Sequence, residues 1–87
     1  MGSHQSHKVQ YTAVFEPHEK GGYTVTVPAL KGCVTEGRDL DEARLMVKDA
    51  IEGYVESLLK DHEPIPDDKP VSTTRHHELI SVEHVAV

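Results

Sequence analysis

One amphipathic helix constrains this chain more than any other feature. Leu40, Ala43, Val47, Ala50, Ile51, Tyr54, Val55 and Leu58 recur at helical spacing. At the α-helical turn they fall on one stripe, roughly 140° wide. Asp49, Glu52 and Glu56 lie opposite. Asp39 stands where an N-cap belongs, and Glu42, three residues on, completes a capping-box pattern; with Asp41, these acids suit the positive helix terminus. Pro64, Pro66 and Pro70 follow, so the helix ends near Lys60 and residues 61–77 read as a connecting loop. A lone helix with one apolar stripe cannot close a core. It needs a sheet with a matching face.

The flanking segments supply that face. Val9, Tyr11, Ala13 and Phe15 alternate with Lys8, Gln10, Thr12 and Glu16, the period of a half-buried antiparallel strand. Pro17 to Gly22 interrupts the pattern, and Gly21-Gly22 fits a hairpin turn. Tyr23 to Ala29 resumes it, with Tyr23, Val25 and Val27 inward, until Pro28 marks an edge or bulge. Gly32 to Glu36 reads as a short third strand, and Leu79 to Val87 as a last one. The expected fold is α+β in two layers, β-β-β-α-β, an antiparallel sheet with one long helix on one face. The opposite sheet face, with Lys8, Gln10, Thr12, Thr24 and Thr26, is left for water or a partner.

Several apolar residues exceed what one helix can cover. Leu45 sits among the acids of the helix, with Leu59 nearby, and on the last strand Ile80 and Val82 point opposite to Leu79 and Val85. With three Tyr and one Phe as its only aromatics, the core is light. Association would bury the surplus, so Leu45, Leu59, Ile80 and Val82 are expected oligomer contacts in a homodimer or tetramer.

At 87 residues the chain is one domain, residues 8–87. Residues 1–7 are polar, hold two histidines, and read as a flexible leader similar to an expression-tag remnant. No apolar run approaches the roughly 18 residues of a membrane span, and no basic-then-apolar signal opens the chain. One cysteine, Cys33, allows no internal disulfide and suits the cytoplasm. Fifteen acidic against nine basic residues give a net charge of −6, which disfavours direct nucleic-acid binding and favours a basic protein partner.

An ordered set of residues now carries a resemblance. Tyr11, Phe15-Glu16, Gly21-Gly22-Tyr23, Val27-Pro28, Leu30, Gly32-Cys33, Thr35-Glu36-Gly37, Glu42-Ala43, Ala50-Ile51 and Glu63-Pro64-Ile65-Pro66 together resemble the HicB-like antitoxins over about residues 8–66. That family has a degenerate, partial ribonuclease H-like fold. The resemblance implies a type II toxin–antitoxin role, in which the antitoxin occludes a HicA-like basic ribonuclease that cleaves mRNA. Many members also carry a C-terminal DNA-binding module, for which no room is expected here. Charges would steer such an encounter, and Glu16, Glu19, Glu36 and Asp41 are the candidate partner-binding residues. The alternative is a solitary HicB-like oligomeric domain without catalytic activity.

Catalysis has little to stand on. A metal-dependent nuclease would need carboxylates such as Glu16, Asp39 and Asp41 to converge, yet Asp39 is better explained as a cap. Cys33, Ser57, Ser72 and Ser81 lack an identifiable base. Seven histidines are scattered through leader, turns and last strand without structural-zinc spacing. No cofactor or metal is expected, and no enzyme.

Overall fold

The computed structural model describes residues 5–70 and 75–86, with side chains described for 8–70 and 75–83. Strands β1 (Gln5–Pro17), β2 (Tyr23–Thr26) and β3 (Val34–Gly37) precede helix α1 (Leu40–Lys60), and β4 (His76–Ala86) follows it. The sheet is antiparallel in the order β3-β2-β1-β4, so the last strand lies beside the first. The expected α+β architecture is the observed one.

Alternation decides the faces. Tyr11, Ala13 and Phe15 of β1 and Val25 of β2 are buried beneath Ala43, Val47, Ile51 and Val55 of α1. Leu40, Ala50 and Tyr54 pack around them, with Leu59 at the C-terminal end of the helix. Asp39 caps α1 by accepting the Glu42 N–H at 2.8 Å, and Glu42 returns the bond to the Arg38 N–H at 2.9 Å. The reciprocal pair therefore reaches one residue before the cap. At the other end, the amides of Asp61, His62 and Glu63 close on the carbonyls of Ser57, Leu59 and Leu58, with His62 left-handed at φ 55.

Two glycines are obligatory for different reasons. Gly22, at φ +90, lets the β1–β2 turn close, His18 N–H donating to its carbonyl at 2.9 Å. Gly37 is where the end of β3 meets the start of α1: a Cβ there would lie 2.4 Å from the Ala43 nitrogen.

The strand limits differ from expectation at four places. β2 stops at Thr26 and β3 starts at Val34, because residues 27–33 fold into a tight loop. There Val27 N–H donates to the Cys33 carbonyl, Leu30 N–H to Val27 and Cys33 N–H to Leu30, with Leu30 buried as the anchor. β4 starts at His76, inside the expected 61–77 loop: His76 pairs with Phe15, and their rings meet edge-on at 5.2 Å. β1 starts at Gln5, within the expected leader, because its first residues pair with residues 84–86. Residues 1–4, 71–74 (Ser72 and part of the expected loop among them) and Val87 lie outside the described residues.

Loop 61–70 does more than connect. Its Tyr11 contact is a hydroxyl donating to the Pro66 carbonyl at 2.7 Å. Asp68 then takes both the N–H and the hydroxyl of Thr12, each at 2.8 Å. β2 ends before it can pair with this part of β1, and the Asp68 carboxylate serves in its place. Thr12, expected to face water, is consequently buried.

Candidate partner-binding surfaces

The helix leaves one sheet face uncovered, and the register arranges it in rows. Glu16 pairs with Thr24 and Thr24 with Glu36, so three strands place Glu16, Thr24 and Glu36 side by side on that face. His18 hydrogen-bonds to Thr24, and Arg75 lies 3.7 Å from Glu16. The next row is Val34, Thr26, Val14 and His77. Beyond it Leu79 pairs with Thr12, and Gln10 donates to Ser81 at 2.9 Å. Val34 and Leu79 are each more than half exposed. The face is thus acidic at its hairpin end with an apolar middle.

Of the four expected partner-binding acids, the structure brings Glu16 and Glu36 together. Glu19 lies in the β1–β2 turn at the same end, exposed. Asp41 is in the other layer, at the start of α1, with its side chain 93% exposed. It belongs to a different surface.

That second surface is a groove of about 450 Å³ between α1 and the outer edge of β4, lined by Asp41, Arg44, Leu45, Lys48, Leu79 and Ile80. Arg44 lines it and ties its two walls together. Its guanidinium grips Glu78 through Nε at 2.9 Å and Nη2 at 2.7 Å, and reaches Asp41 at 3.3 Å. His76 adds a contact to Glu78 at 2.6 Å. The Arg44 hydrogen bonds lead, and the His76 contact assists, in holding the Glu78 carboxyl down to about 2. Arg44 and Glu78 thereby bolt the helix to β4 across the sheet.

The expected oligomer contacts divide on this geometry. Leu45 is 70% exposed on the lip of the groove, and Ile80 lines it while also packing on the core. Val82, at 2% exposure, is a core residue of this chain, because its strand position faces the helix layer. Leu59 is likewise taken up, packing on the core at the end of the helix. Sequence reasoning misses Leu79, Arg44 and Lys48 as surface candidates, although the alternation at Leu79 holds the signal.

Chemistry-bearing residues stay apart. Glu16 is on the uncovered sheet face, whereas Asp39 is bonded into the helix cap and Asp41 points to solvent. Among the described residues no three His, Cys, Asp or Glu side chains gather where they could hold a metal ion. Cys33 is buried, and burial pushes its thiol pKa up, away from the reactive thiolate. Among the described residues no helix is long and apolar enough to cross a membrane.

The family model for "HicB_like antitoxin of bacterial toxin-antitoxin system" matches residues 11–83. The chain belongs to the HicB-like antitoxin family. A UPF0150 protein from Thermoplasma acidophilum is 44% identical over 78% of this chain and 99% of its own length. Antitoxin HicB 1 of Photorhabdus laumondii is 36% identical over 72% of this chain, which spans 41% of that longer protein. Among solved structures, the N-terminal domain of Burkholderia pseudomallei antitoxin HicB superposes with a TM-score of 0.70 at 25% identity, covering 85% of this chain and 98% of that one. The HicB-like fold expected from the ordered residue set is therefore the fold observed.

Proposed function

We propose that this HicB-like chain is a cytoplasmic antitoxin that docks on a HicA-like basic ribonuclease toxin and occludes it, acting as a self-associated oligomer without catalysis of its own. The observation that carries this reading is the row Glu16–Thr24–Glu36 on the uncovered sheet face, bordered by Val14 and Val34 with Leu79 one row beyond. Opposite charge steers a basic ribonuclease onto that face and fixes its orientation, while the apolar middle supplies the water-excluding contact. A net charge of −6 acts in the same direction at long range. The test is inhibition of RNA cleavage by a small basic toxin encoded in the same genome. Wild type should suppress cleavage stoichiometrically. Glu16→Lys with Glu36→Lys should lose suppression by a factor of about 10 or more, since like charges across an interface cost several kcal/mol. Absence of binding even at low salt overturns the reading.

One observation favours a second reading, an assembling domain that serves no toxin. The chain matches the Thermoplasma UPF0150 protein along almost its whole length, but less than half of Antitoxin HicB 1. A toxin screen that returns no partner, alongside a defined oligomer, supports it.

A further inference from the structure

We propose that the β2-side edge of β1, from Gln5 to Tyr11, docks an extended basic segment of another protein, added antiparallel in the track that β2 vacates. β1 runs to Pro17, but β2 pairs with it only from Val14 to Pro17. β4 covers the other side of β1 from Gln5 to Phe15. Thr12 donates its N–H to Asp68, so that amide points away from β4. Strand alternation gives Gln10 and Lys8 the same direction, each turning its N–H and C=O toward the vacated track. Among the described residues no other backbone group answers them. An edge in that state is a template for a further strand.

The track has one closed end. Pro66, Asp67 and Asp68 shut it beside Thr12, leaving a hollow of about 180 Å³ shared with Val9, Gln10 and Tyr11. An antiparallel segment therefore starts at this hollow and runs toward Gln5, the direction that β2 already takes. Its first amine meets two carboxylates there. Asp67 is exposed and has no hydrogen bond or ion pair among the described residues. Both acids act on the hollow: burial first, then the charges of Asp67 and Asp68, push the Tyr11 hydroxyl pKa up. A residue opposite Gln10 shares a face with Thr12 and its Asp68 clasp, the place for a basic side chain. Residues opposite Val9 and Tyr11 fall on the helix side, where Val9 and Pro66 offer apolar contact. The fitting segment thus alternates apolar residues with polar ones and is basic near its start. A second copy has no such strand at its sheet edges: β3 and β4 carry Glu36, Glu78 and Glu83 and neither Lys nor Arg.

Nuclear magnetic resonance of the whole chain, titrated with the peptide Val-Arg-Val-Thr-Val-Thr-Val, tests the assignment. The peptide keeps its free amine and is amidated at its other end. Up to about 1 mM, a range that reads weak binding, the Lys8 and Gln10 amides should shift saturably and exchange more slowly with solvent. The acetylated peptide with Glu in place of Arg should bind about tenfold more weakly. Asp67→Lys, a change at an exposed site, should cut affinity about tenfold with an unchanged melt. Glu16→Lys with Glu36→Lys should leave affinity within about threefold, which separates this edge from the toxin-facing row. Silent Lys8 and Gln10 amides, equal binding of the acidic peptide, or full affinity in Asp67→Lys overturns the proposal. So does a larger loss in the Glu16 and Glu36 double variant, or a response confined to β3 or β4. Concentration-dependent protection of Lys8 and Gln10 without peptide would put a second copy on the edge, and overturns it too. No toxin enters any of these measurements, so the antitoxin proposal stands or falls separately.

Discussion

Asp68 stands in for a missing strand beside Thr12. Its two carboxylate oxygens, each at 2.8 Å, take the backbone N–H and the hydroxyl of a residue whose expected neighbour strand has already ended. Asp68→Ala would leave a partly buried amide unsatisfied and release loop 61–70 from the sheet. An expected loss of about 2 kcal/mol follows, or roughly a 10 °C drop in melting temperature. Asp68→Asn, which still accepts one bond, should fall between. Thermal denaturation followed by circular dichroism measures both.

Gly37 and Gly53 should respond to the same substitution with opposite sign. At Gly37 a methyl group would lie 2.4 Å from the Ala43 nitrogen, in backbone that cannot yield without moving the start of α1. Gly37→Ala is expected to cost about 3 kcal/mol or more. Gly53 is exposed in mid-helix with nothing within 4 Å of the added atom. Gly53→Ala should stabilise by about 0.5–1 kcal/mol through helix propensity. Urea unfolding of the two variants side by side gives the comparison.

Glu78 makes stability depend on acid. Its carboxyl ionises near 2 in the folded protein against an ordinary 4.5, with the Arg44 bonds as the leading cause. A carboxyl lowered by folding stabilises fully above its unfolded value, and the benefit fades as pH falls from about 4.5 towards 2. Glu78→Gln should therefore melt lower than wild type at neutral pH, by about 1 kcal/mol for a half-exposed network. Near pH 2 the two curves should converge. A gap that is constant across that range would show that Glu78 acts by shape rather than charge.

His62 holds a left-handed backbone at φ 55 just past the helix, a position that glycine occupies without strain. His62→Gly should raise stability by about 0.5 kcal/mol, the relief of the αL penalty being partly offset by a freer unfolded chain. Chemical denaturation resolves a shift of this size.

The helix and the order of the strands are legible in the sequence because periodicity is local: the stripe from Leu40 to Val55 and the alternation from Val9 to Phe15 each need only their own neighbours. The ends of strands are less so. β2 yields to a loop held by Val27, Leu30 and Cys33, and β4 gains His76 through its pairing with Phe15; both depend on contacts made after folding. Thr12 shows the same limit, since nothing near it in sequence announces Asp68. For the candidate surfaces, the acids Glu16 and Glu36 can be chosen by charge and position. Their meeting in one row follows from strand register, which a single sequence does not specify. Val82 reads as surplus because alternation gives a residue's side of the strand without saying which side the helix will cover.

The pairing of β1 with β4 joins residues as far apart as Gln5 and Ala86. On the ribosome, the first strand must therefore wait, with one flank bare, while synthesis at roughly 5–20 residues per second delivers its neighbour. Until then the nascent sheet exposes a sticky margin at its centre rather than its rim. Folding of this chain is consequently gated by the translation of β4, and a product truncated ahead of that strand would be prone to aggregate.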